Sequence, residues 1–140
     1  MKNQINFINV GIILIIVALS IGIYFTYSYN LQKNQQKEQF ELFLQNLQNL
    51  AITIQTSYGN YYLQLSVPGN VILYSNNTYL IVNYDKTNYT INFYNEIILL
   101  NNYGQTVTFL IYPDKIYLSK KNNIIYITPS LQVAQNIIYN

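Results

Sequence analysis

Five carboxylates (Glu38, Glu41, Asp85, Glu96 and Asp114) and seven lysines are the only ordinarily charged side chains in this 140-residue sequence. It has no His, Cys, Arg or Trp. The usual parts of a soft metal centre, a haem site, a thiol nucleophile or a near-neutral proton shuttle are therefore missing. An acid–base pair needs two carboxylates converging in one pocket. Glu38 and Glu41 stand three apart beside Lys37 and read as a solvated helix face, while Asp85 and Asp114 fall in turn sequences, where such side chains bond the local backbone. The five glycines are dispersed and show no phosphate-loop spacing. We assign no catalytic, cofactor-binding or metal residue and read the chain as a non-enzyme without a cofactor or small-molecule substrate. A net charge of +2 from scattered lysines gives no footprint for nucleic acid.

The remaining chemistry is neutral. Asn76-Asn77-Thr78 and Asn88-Tyr89-Thr90 match the N-x-[ST] acceptor pattern and lie at or beside expected turns, so Asn76 and Asn88 are candidate glycosylation sites. Tyr occurs 16 times, mostly after Tyr58. An adhesive or sugar-binding aromatic face is one reading; high strand propensity and tolerance of half-burial is the other, and the one we favour. Charged residues make up only 9% of the chain, while Asn, Ile and Tyr are abundant. A surface exposed to acid or salt would be one cause of such selection against charge.

Three segments must position these residues. Over 1–30 the sequence is dominated by VGIILIIVALSIGIYF, Val10 to Phe25, which has no charge and is apolar on every side. The 25 residues from Ile5 to Tyr29 would reach roughly 37 Å as a helix, enough to cross a bilayer core of about 30 Å. A cleaved signal sequence usually has a shorter apolar run followed by small residues; here Tyr24, Tyr27, Tyr29 and Lys33 lie in or beyond the run's end. Gly11, Ala18, Ser20 and Gly22 are the small residues that would let such helices approach closely. Over 31–57 the composition turns to Gln, Lys and Glu, but Phe40, Phe43, Leu44, Leu47, Leu50 and Ile54 recur at helical period. No Pro precedes Pro68 and no Gly lies between Gly22 and Gly59, so one helix is expected from about Phe7 to about Gln55, its later stripe covered by the chain's own C-terminal domain.

Over 58–140 the period becomes two. Alternating or β-branched runs are separated by Pro68-Gly69, Asn76-Asn77, Asp85-Lys86, Asn101 to Gly104, Pro113-Asp114 and Lys121-Asn122. The clearest run is Gln105 to Tyr112, whose Val107, Phe109 and Ile111 are expected to face the helical stripe. The fold class is α+β: a long N-terminal hydrophobic helix followed by a small antiparallel β-sandwich or meander.

An apolar helix running into an amphipathic one and then into a small β domain resembles the type IV pilin-like superfamily. The chain is similar in plan to archaeal adhesion pilins and archaellins. That resemblance implies cleavage just ahead of the apolar helix, commonly after a Lys or Arg followed by a small residue, where this chain has Gly11 preceded by Asn9-Val10, and assembly into a homo-oligomeric helical filament or with other pilin-like subunits. Apolar helices would form its core and β domains its outside, serving adhesion or cell-cell contact. The alternative is an uncleaved single-pass membrane protein whose outward β domain braces or anchors a surface filament. A viral envelope protein with one anchor has the same layout.

Overall fold

The computed structural model describes residues 2–140, with side-chain surroundings for Gln4 and from Asn6 onward; Met1, the start of the expected apolar segment, lies outside the described residues. Two compact units divide the chain, Met1–Glu38 and Gln39–Asn140. A single helix, α1, runs Lys2–Thr56. Its sequence contains neither Pro nor any Gly after Gly22, so no residue type interrupts its backbone hydrogen bonding. It ends at Thr56, three residues before Gly59. There the Ser57 amide and hydroxyl both donate to the Thr53 carbonyl, at 3.1 and 2.6 Å. Gly59 then takes φ 99°, a left-handed conformation that a residue without Cβ adopts without strain.

The second unit holds nine strands and a helix. The strands are β1 (Tyr61–Ser66), β2 (Val71–Asn76), β3 (Tyr79–Tyr84), β4 (Thr87–Asn92), β5 (Glu96–Leu100), β6 (Thr106–Val107), β7 (Phe109–Ile111), β8 (Lys115–Lys121) and β9 (Ile124–Thr128). They form a five-stranded sheet in the order β1-β8-β9-β5-β6 and a four-stranded sheet in the order β4-β3-β2-β7. Every pairing is antiparallel except β5 with β9. Two hairpins are tight because both central residues accept positive φ: Asp85-Lys86 and Asn122-Asn123.

Alternation sends Leu63, Leu65, Ile97, Leu99, Ile116, Leu118, Ile125 and Ile127 from one sheet, and Val71, Leu73, Leu80, Val82, Ile91 and Leu110 from the other, into one apolar cluster. Phe40, Phe43, Leu47, Ala51 and Ile54 of α1 are buried in that cluster, with Leu44 and Leu50 half-buried against it.

The run from Gln105 to Tyr112 is not one strand, which corrects the face expected to meet α1. Thr106–Val107 pairs with β5 and Phe109–Ile111 pairs with β2, so the chain changes sheet at Thr108. The crossing shifts the alternation by one residue. Val107 and Leu110 face the core, while Phe109 and Ile111 stand exposed at 47% and 57%. A strand that turns the corner between two sheets must bend, and the bend resets which side points inward.

A second helix, α2 (Leu131–Tyr139), closes the chain, where only β structure had been expected. Ser130 caps it, its hydroxyl accepting from the Val133 amide at 3.4 Å. α2 packs against β8, β9 and β1. By alternation it covers the face carrying Tyr117, Ser119 and Thr128, all three buried.

Candidate functional site

The apolar part of α1 is a long run of exposed hydrophobic side chains. Among the described side chains from Asn6 to Gln39 none is buried, and Ile8, Ile12, Leu14, Ile16, Leu19 and Ile23 are each at least half exposed. Since apolar side chains point to every side, no orientation of this segment in water hides them. Ala18 and Gly22 line one shallow groove, continued by Thr26 and Asn30 at four-residue steps. At about 100° per residue Gly11 falls within about 40° of that pair, whereas Ser20 falls on the far side. The Ser20 hydroxyl donates to the Ile16 carbonyl at 2.8 Å, so it is satisfied within its own helix. A Cβ added at Gly11 or Gly22 would meet nothing within 4 Å. The small size of these residues is thus not required by packing within the chain.

The stripe from Phe40 to Ile54 is joined to both sheets. Phe40 stacks on Tyr84 of β3, with ring centroids 4.0 Å apart and planes 10° from parallel, and lies 5.1 Å from the Tyr89 ring of β4. At the other end, Lys120 of β8 donates to the Ile54 and Ser57 carbonyls at 2.9 and 3.1 Å. Those carbonyls lie at a helix end that carries partial negative charge, which a cation complements. No motif in the sequence singles out Lys120. Its parity with Ile116 and Leu118 was the available signal, because it puts a lysine on an otherwise apolar strand face.

Both glycosylation candidates fall on the outer face of the four-stranded sheet. Asn76 ends β2 and Asn88 lies in β4, each exposed. Register gives Ile72, Tyr74, Ile81, Phe109 and Ile111 the same side. Asn83 donates its amide to the Asn88 side-chain oxygen at 2.6 Å. Tyr74 and Phe109 are paired on this face with centroids 6.2 Å apart.

A mixed cleft of ≈ 510 Å³ opens where three turns meet: Asn101-Asn102 after β5, Tyr112-Pro113-Asp114 between β7 and β8, and Pro129 after β9. Tyr112 adopts φ 47° immediately before Pro113. For a bulky residue in that position the strain is of order 1–3 kcal/mol. Of the eight non-glycine residues at positive φ, four are Asn and one is Asp, the types that tolerate it; two are tyrosines, Tyr94 and Tyr112. Sequence patterning could flag Asn101 to Gly104 and Pro113-Asp114 as turns but not that they share one cavity.

No protein-family model matches the chain, and no curated protein or solved structure is significantly similar to it. Among the described residues no group of three or more His, Cys, Asp or Glu is placed to hold a metal ion.

Proposed function

We infer that the chain is a structural subunit of an archaeal type IV pilus-like surface filament, with apolar helices packed in its core and β domains outside, serving adhesion or cell-cell contact. The observation that carries this reading is the exposed apolar half of α1. A helix hydrophobic all round must be covered by lipid or by other helices, and the same α1 continues into the core of a small β domain with few charges. The groove at Ala18 and Gly22 supports helix–helix contact, since small residues four apart let backbones approach.

Replacing Gly22 by Leu tests it, because a Cβ added there meets nothing within 4 Å. Filaments should be lost while membrane insertion persists. Normal filaments with Gly22→Leu would remove this groove from the contact.

The second reading, an uncleaved membrane-anchored accessory protein with its β domain outside, is favoured by Asn9-Val10 ahead of Gly11, where the resemblance implies a basic residue at the cleavage site. The N-terminal residue of the protein isolated from cells separates the two. A start near Ile12 supports filament processing; a start at Met1, with the protein absent from purified filaments, supports the anchor.

A further inference from the structure

The cleft at the meeting of the three turns has properties that the filament reading does not use. Its walls are fixed before any ligand arrives. The Asn101 side-chain oxygen accepts from the Tyr103 and Gln105 amides at 2.9 and 3.0 Å, its amide donates to the Gln105 side chain at 3.0 Å, and its carbonyl accepts from the Thr128 hydroxyl at 3.3 Å. On the opposite wall the Tyr112 amide donates to the Val71 carbonyl at 3.0 Å, and the Asp114 carbonyl accepts from the Val67 amide at 2.9 Å. Loops tied to buried strands in this way lose little freedom on binding.

We propose that this cleft binds a neutral saccharide, with the Tyr112 ring as the platform for a sugar's C–H face and Asp114 and Asn102 as hydrogen-bonding partners for its hydroxyls. Tyr112, Asp114 and Asn102 are exposed, while Leu110 and Pro113, which also line the cleft, are buried and apolar. A rigid amphipathic ring beside a few polar groups suits a ligand with one apolar and several polar edges. Asp114 and Lys115 are adjacent and of opposite sign, so the site carries no net charge and offers no paired cations for a phosphate.

Strain at Tyr112 points the same way. Among the described residues Asn occupies four of the other seven non-glycine positions at positive φ, so a tyrosine at Tyr112 places a ring there at a conformational cost. The proposal goes beyond the filament reading and does not rest on it, since every residue of the cleft lies within Gln39–Asn140 and binding is read on dispersed protein.

The test is saturation-transfer NMR on the full chain in phosphocholine micelles. The probes are the methyl glycosides of glucose, mannose, galactose and N-acetylglucosamine at millimolar concentration, with glucuronate and glucosamine as charged counterparts. Transfer to the ring protons of at least one neutral probe is expected. Tyr112→Asn should weaken it by about tenfold or more while the melting temperature stays equal or rises, because Asn accepts φ 47° more readily. Asp114→Asn, an isosteric change at an exposed turn, should also weaken it. No transfer from any neutral probe, preference for a charged one, or binding unchanged in either variant would overturn the assignment.

Discussion

The Lys120 ammonium group donates to the Ile54 carbonyl at 2.9 Å, tying the C-terminal end of α1 to a central strand of the five-stranded sheet. A second bond to the Ser57 carbonyl, at 3.1 Å, makes the lysine a bracket across the point where helix gives way to β structure.

Removing that bracket should be costly. In Lys120→Met the stem still fills its partly buried channel, but two carbonyls lose a charged donor. Each such bond contributes about 1.5–3 kcal/mol, so a loss of about 2 kcal/mol or more is expected in denaturant titrations of the full chain. An unchanged unfolding midpoint would mean that water replaces the ammonium without penalty.

The corrected orientation of β7 predicts a contrast between neighbours. Leu110→Ala, within the core, and Leu47→Ala, at 0% exposure, should each destabilise by about 2–5 kcal/mol. Phe109→Ala, on the outer face, should stay within about 0.5 kcal/mol. Equal losses at Leu110 and Phe109 would show that the outer face is covered as well.

Ser119 is fully buried on the face that α2 covers, and among the described residues its hydroxyl has no hydrogen-bond partner. Desolvating an unpaired hydroxyl costs about 1–3 kcal/mol. Ser119→Ala should therefore leave stability unchanged or raise it by about 1 kcal/mol, read as a higher melting temperature. A clear loss would reveal a partner, such as a bound water, at that hydroxyl.

Asn76 and Asn88, the two candidate acceptors, share the outer sheet face, so glycans there would cover Tyr74, Phe109 and Ile111. If Asn76 and Asn88 are modified in the native cell, the intact mass should exceed the sequence mass and fall stepwise in Asn76→Gln and Asn88→Gln. Agreement with the unmodified sequence mass would remove glycans from this face.

All five carboxylates are exposed. Acidification therefore breaks no buried ion pair, and the β domain should remain folded at pH 2.5. Melts of the full chain in micelles at pH 7 and pH 2.5 should differ by less than about 10 °C. Unfolding at the lower pH would point to a buried ionised network and would remove acid exposure as a reason for the scarcity of charge.

Local chemistry was legible in the sequence wherever one residue type settles a backbone choice. The absence of Pro and Gly between Gly22 and Gly59 makes α1 continuous, and the helical period of Phe40, Phe43, Leu47 and Ile54 marks the stripe that is buried. Tyr79–Tyr84 and Glu96–Leu100 end where the turn residues beside them said they would. A capped helix at Leu131–Tyr139 was also readable, from Ser130 followed by Ala134, Ile137 and Ile138 at helical spacing, although the β pattern before it drew the whole tail into one expectation.

What only the tertiary structure decided are the relations between residues far apart in the chain. Gln105 to Tyr112 alternates as one strand would, and nothing within those eight residues says that Val107 pairs with Leu99 while Leu110 pairs with Leu73. Strand pairing is chosen by which distant partners complete a closed core, and a sheet crossing at Thr108 inverts the faces beyond it. The parallel pairing of β5 with β9, the seat of Lys120 on the end of α1, and the meeting of Asn102, Tyr112 and Asp114 at one cleft have the same origin. Propensity and periodicity act over a few residues, whereas these contacts form only once long loops have closed and both sheets share one apolar interior.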